Sequence, residues 1–197
     1  MSETERRITQ ADILSNADYA ARRNELRAAS IARKKNRRVE VGPFATFYFE
    51  NYESMWLQVQ EMLRIEKGGP DQIEGELATY NPLIPQGHEL IATLMLEIED
   101  PRRRETMLYK LAGIEESISL ELDGETIKAT PTEYEDRTTP DGKTSSVHWV
   151  RFVLTPAQIA KFRSGEGRAA IVVNHPAYGH IAIIPPNVRE ELSRDFA

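Results

Sequence analysis

The sequence predicts an α+β fold: a helical N-terminal lobe packed on a mostly antiparallel β-sheet that carries short helices. Three observations predict it. Across residues 52–67, Met55, Val59 and Met62 recur at helical spacing, and Trp56 and Leu63 widen the stripe. Further on the period changes to two: Leu94, Leu96 and Ile98 alternate with Met95, Glu97 and Glu99, and Ile118, Leu120 and Leu122 alternate with Ser119 and Glu121. The second run ends at Asp123-Gly124, a dipeptide suited to the left-handed turns that join antiparallel strands.

The elements follow in chain order. Thr9 and Asp12 open a short helical turn, and Ser15 or Asn16 caps a helix over 17–35. That helix has good helix formers but a thin apolar face of Tyr19, Leu26 and Ala29, so it must lean on another element or lie partly exposed. Residues 39–49 are β-rich with a break at Gly42-Pro43. The helix over 52–67 stops at Gly68-Gly69-Pro70, and another runs over 71–79 until Asn81-Pro82. After the strand that begins near Glu89, Asp100-Pro101 caps a helix closed by Gly113. Strands are expected over 118–122, 126–135 and 147–154, with a reversal at Thr139-Pro140-Asp141-Gly142. Thr155-Pro156-Ala157-Gln158 is a capping-box start ended by Gly165, and 168–174 pairs with 179–184. Asn187 and Glu190 cap a last short helix. Residues 90–184 are expected to form one sheet. The chain divides into a helical lobe, 1–88, and an antiparallel β lobe, 89–197, within one compact unit.

At 197 residues with 40% apolar content, the chain can bury a core without staples. It has no cysteine, which excludes disulfides, thiolate nucleophiles and cysteine-held clusters on this chain. The opening residues are polar and no apolar stretch is long enough for a signal peptide or a span, so a cytoplasmic protein with no membrane association is expected. The net charge of −6 is uneven: residues 22–38 hold eight Lys or Arg against Glu25 alone. No aromatic residue lies among those cations to stack on bases, which weighs against nucleic acid and leaves a partner-docking or solvated helix.

Familiar catalytic motifs fail on spacing. Gly142-Lys143-Thr144 imitates the end of a P-loop, but its leading glycine position is Arg137. His88-Glu89 opens a zinc-protease motif whose second histidine position is Ala92. No nucleophile elbow and no paired Glu-x-x-His occur. No cofactor is evident.

Three features remain. His175 and His180 stand at the ends of one tight loop, where they can share a metal or an anion with His148 or a carboxylate as third ligand, or simply pack and expose. His148, in register with Val150 and Phe152, points at the core as a structural histidine. Glu50-Asn51-Tyr52-Glu53 leads into Gln58, Glu61 and Arg64, a polar line at i, i+3 spacing that either borders a ligand cleft or is a solvated face. Arg102, Arg103 and Arg104 sit in the first turn of a helix, against its dipole, which points to function or to docking on the acidic body.

The strings Arg37-Arg38-Val39-x-x-Gly42, Phe49-Glu50-Asn51, Gln58-x-Gln60-Glu61-Met62-Leu63-Arg64-x-Glu66, Tyr80-Asn81-x-Leu83-x-Pro85, Asp141-Gly142-Lys143-x-Ser145 and His175-Pro176-x-Tyr178 carry a resemblance over nearly the whole chain. It resembles a bacterial domain-of-unknown-function family, numbered three thousand five hundred and one. The resemblance adds Tyr178 to the candidate residues and supplies no catalytic residue. By gene association it implies a place near rubrerythrin-like and iron–sulfur oxidoreductase proteins. Two functions are therefore expected as alternatives: an accessory protein that binds a protein partner in cytoplasmic redox metabolism, or a small metal-binding protein or enzyme built on His175 and His180.

Overall fold

The computed structural model describes residues 6–132 and 137–197. Helix α1 spans Asn16–Lys34, with the Ser15 hydroxyl accepting from the Asp18 N–H. Its face is as thin as the sequence implies: only Tyr19 and Ser30 are buried. Strands β1 (Arg38–Val41) and β2 (Ala45–Phe49) form a hairpin, and helices α2 (Tyr52–Glu66) and α3 (Pro70–Tyr80) follow. Strand β3 (Glu89–Leu96) leads to helix α4 (Pro101–Lys110), then β4 (Ile118–Leu122), β5 (Glu125–Lys128) and β6 (Thr130–Pro131). Strand β7 (Val147–Val153), helix α5 (Pro156–Ser164), strands β8 (Ala169–His175) and β9 (Tyr178–Ile183) and helix α6 (Pro186–Leu192) complete the chain. Part of the strand expected over 126–135 lies outside the described residues.

The single sheet expected over 90–184 is two sheets, ordered β1-β2-β3-β7-β6 and β5-β4-β8-β9, with every pairing antiparallel. The alternation in each set of strands leaves each sheet one apolar face, and each buries that face against the other. Phe47, Leu94 and Phe152 from the first meet Leu120, Ile171 and Val173 from the second in one core. The first sheet takes strands from both sides of residue 88, since β2 pairs with β3.

Strand β3 is buried on both faces except at Met95, which is exposed on the outer face. Ile91 turns away from the main core into a second cluster with Met55, Val59 and Leu63 of α2. Trp56 and Met62, expected to be enclosed with them, are only half-buried. The Trp56 indole N–H donates to the Asp12 carbonyl at 2.9 Å, so the ring is covered by the N-terminal turn and by Tyr19 rather than by the sheet.

Local signals explain most boundaries. Asn51 and Ser54 exchange bonds as a capping box on α2, and Thr155 and Gln158 do so on α5. Asp123 and Gly124 both take positive φ, the turn that matches strand twist. The last helix starts two residues earlier than expected: Pro186 occupies its first position and Pro185 its cap, so neither Asn187 nor Glu190 caps it. Asn187 instead donates to the Asn36 side chain at 2.9 Å.

Candidate functional site

The outer face of the first sheet is not fully covered by helices. In register across it, Arg38 faces Tyr48, Tyr48 faces Thr93, and Thr93 faces Trp149. The next row holds Thr46, Met95 and Val147. Helix α1 and its C-terminal cap line this face with Ile31, Lys34 and Lys35, and α2 and α3 line it with Met55, Gln58 and Tyr80. Between them lies a cavity of 590 Å³, a size that suits a small molecule.

Its walls are largely apolar and aromatic, and its polar lining includes the exposed cations Lys34, Lys35 and Arg38 and the buried Glu50. Ile31 is 60% exposed although it faces this space. At the mouth stand Lys34, Lys35 and Arg38. Arg38 has one carboxylate neighbour, the exposed Glu40 at 3.0 Å, and the Lys34 ammonium lies 5.9 Å from the Tyr48 ring centre. At the floor is Glu50, 8% exposed, which accepts from the Thr93 hydroxyl and the Ser54 hydroxyl, each at 2.5 Å. Tyr48 donates its hydroxyl to Glu97 at 3.0 Å. Burial first, then that bond, holds the Tyr48 phenol above its ordinary range, so it stays a neutral donor.

Of the polar line on α2, only Gln58 reaches the cavity, where its amide lies 3.5 Å from the Tyr80 hydroxyl. Glu61 is taken up by α1: Arg23 grips it with bonds of 2.7 and 2.8 Å and the Tyr19 hydroxyl donates to it at 2.5 Å. Those partners, Arg23 foremost, pull the Glu61 carboxyl down to about 2. Arg64 is exposed. The line is therefore divided between a ligand space, a helix-docking bond and solvent.

The histidine loop has other tasks. His175 faces Tyr178 across β8 and β9, and Val173 faces His180, so these side chains share the core side of the sheet. His175 Nε2 lies 3.2 Å from the Ala112 carbonyl, and Nδ1 accepts from the Ala177 N–H at 3.2 Å. Both nitrogens are satisfied by one neutral tautomer. The Tyr178 hydroxyl accepts from the Phe44 and Ala45 N–H groups at 3.2 and 3.1 Å and donates to the Val41 carbonyl at 2.6 Å. It thus clamps the β1–β2 turn. His180 stacks on Tyr178 at 4.2 Å and covers Gly42, whose φ is +72° and where a Cβ would fall 2.5 Å from the imidazole. Among the described residues no three His, Asp or Glu side chains gather to hold a metal ion.

His148 is buried as expected, with Nε2 2.9 Å from the Ser145 carbonyl and Nδ1 3.5 Å from Glu115. Burial outweighs the nearby carboxylate and lowers its pKa below the ordinary histidine value. The three arginines of α4 part company: Arg102 and Arg103 are exposed, while Arg104 donates to the Ile98 carbonyl at 3.0 Å. Asp100 caps the helix through the Arg103 N–H at 2.7 Å.

A second concavity, of 560 Å³, lies near Arg33, Arg37 and Arg194. Its cations are already committed: Arg37 pairs with Asp195 at 2.5 Å, Arg33 with Glu53 at 3.1 Å and Arg194 with Glu191 at 2.8 Å, and Arg6 donates to the Pro85 and Asp195 carbonyls. Lys34 and Lys35 have no ion pair among the described residues, which distinguishes the first cavity. Sequence reasoning missed Tyr48, Thr93, Met95 and Trp149 as site residues, because their meeting depends on strand register. The available signal was the basic run ending at Arg38, which the β1–β2 hairpin lays beside the sheet face.

The comparisons add family and fold. A family model described as "Protein of unknown function (DUF3501)" matches residues 7–196. A crystal structure of a novel protein of unknown function from Burkholderia pseudomallei is similar at 37% identity, covering 96% of this chain and 99% of that one with a TM-score of 0.89. No curated protein matches. The chain belongs to the DUF3501 family of proteins of unknown function.

Proposed function

We propose that the protein binds a small amphipathic anion in the cavity between α1, α2 and the first sheet. The observation that supports this reading is the arrangement of one 590 Å³ space, lined largely by apolar and aromatic side chains and by Lys34 and Lys35, which have no ion pair among the described residues. Apolar walls supply affinity, and a few convergent charges set orientation. The anion lies at Lys34, Lys35 and Arg38, and the apolar body lies on Tyr48, Met95 and Trp149. The test is titration of phenylpropionate against a Trp56→Phe variant, in which Trp149 is the remaining indole. Saturable change in Trp149 emission is expected, weakened about tenfold or more when Lys34, Lys35 and Arg38 are replaced together by alanine. A flat titration with both proteins rejects the reading.

A protein partner is a second reading, and one observation favours it. Strand β9 is a sheet edge without Lys, Arg, Asp, Glu or Pro, and Ile181 and Ile183 on it are 60% and 64% exposed. The other edges carry Arg38 and Glu40, Glu125 and Lys128, or Pro131, the usual protections against strand addition. An extended partner segment would add at β9, and a cytoplasmic redox setting belongs to this reading. Among the described residues, no helix is long and apolar enough to cross a membrane. Replacing Ile181 and Ile183 by lysine should abolish retention of the partner from host extract; unchanged retention rejects this edge.

A further inference from the structure

Glu50 is a carboxylate at the floor of the cavity, 8% exposed, and both of its oxygens are held by hydroxyls rather than by cations. Among the described residues it has no ion-pair partner. The neighbouring Arg37 guanidinium donates to the Glu50 main-chain carbonyl at 3.1 Å, and its charge is matched by Asp195. A buried carboxylate left with hydroxyl donors alone is costly unless a further donor reaches it. The cavity is the open direction from which one can come.

From this we infer that the ligand carries an ammonium or other N–H donor at one end and an anion at the other, separated by an apolar, aromatic-sized body. This rests on the proposed binding of an amphipathic anion and names the ligand class. The distances agree. Glu50 lies two residues on from Tyr48, just past the end of β2, about 7 Å away in extended chain, and Arg38 faces Tyr48 one strand away, about 5 Å. A ligand with its two charges at the ends of a substituted phenyl ring fits between them. Thr93 and Ser54 position the carboxylate: each donates its hydroxyl proton to one oxygen, which leaves the remaining lone pairs for the incoming ammonium. The ring meets Tyr48, Met95 and Trp149.

The experiment compares three probes by isothermal titration calorimetry: phenylpropionate, phenylpropylamine and para-aminomethyl-phenylpropionate, which carries both groups. The bifunctional probe should bind the wild-type protein about tenfold or more tightly than phenylpropionate, as a charge-assisted bond implies. Glu50→Gln should remove that advantage, so that the bifunctional probe binds the variant no more tightly than phenylpropionate does. A Thr93→Val variant, which keeps the carboxylate, should reduce the advantage only in part; it guards against loss of folding in Glu50→Gln, with circular dichroism as the check. Equal binding of phenylpropionate and the bifunctional probe to the wild-type protein overturns the inference and leaves the anion reading standing. No binding of any probe overturns both.

Discussion

Replacing Tyr178 by phenylalanine removes one oxygen and little else. The ring is buried and stacks on Phe44 at 4.5 Å and on His180 at 4.2 Å, contacts that phenylalanine keeps. The hydroxyl makes three bonds, from the Phe44 and Ala45 N–H groups and to the Val41 carbonyl, all within the β1–β2 turn. A net contribution of about 1 kcal/mol per bond gives about 3 kcal/mol, and backbone groups left without partners push toward the upper side. For a chain of this size each kcal/mol shifts the melting temperature by about 2–4 °C, so a fall of about 6–12 °C is expected. Thermal unfolding followed by circular dichroism, with urea unfolding alongside, measures it. Ligand titrations on the folded variant should be unchanged, because the residue lines the core and not the cavity. A fall below about 2 °C would refute the clamp and return Tyr178 to the list of ligand residues.

Three further outcomes follow from the same geometry. Arg189 is 6% exposed and gives its five N–H donors to the carbonyls of Lys161, Phe162, Gly165, Glu166 and Gly167 at the end of α5. Arg189→Lys keeps the charge but not the fork and should cost about 2–3 kcal/mol in urea unfolding; a loss below about 0.5 kcal/mol contradicts the role. Glu61 has its carboxyl depressed from 4.5 to about 2, so its contribution is fully present above pH 4.5 and is lost as pH falls toward 2. After allowance for partial exposure that contribution is about 1–2 kcal/mol. The stability gap between wild type and Glu61→Gln should therefore close between those pH values; a gap that widens on acidification runs against it. His148, with its pKa lowered by burial, favours the neutral form in the fold, so protonation of the unfolded chain erodes stability as pH drops below the ordinary value of 6.5. Its NMR titration midpoint should lie below 6.5, and a midpoint above that value shows that the Glu115 carboxylate wins instead.

What could be read in the sequence was local. Asp123-Gly124, the Thr155 capping box and the stripe of α2 each specify geometry within a few residues, and each is present in the fold. The division into two sheets was not legible, because periodicity reports which face of a strand is apolar and not which strand it meets. The same limit hid the cavity. Tyr48, Thr93 and Trp149 are far apart in the chain and become neighbours only through the β2–β3–β7 register. The loop from His175 to His180 shows the converse. Two histidines near a proline resemble ligand groups in one dimension, yet His175 bonds Ala112 and His180 covers Gly42, residues distant in sequence. Gln58, Glu61 and Arg64 all lie on α2, but only the position of α1 decides which member meets Arg23 and which meets the cavity.

Two-dimensional NMR of the labelled wild-type protein, with phenylpropionate added to millimolar concentration, shows whether the space over the first sheet holds a ligand. Saturable shifts are predicted for the Trp149 indole, the Thr93 and Met95 amides and the Gln58 side-chain amide, with the Trp56 indole and the His175 and Ala177 amides unmoved. Shifts scattered over the surface, or confined to the loop at His175, would contradict the account.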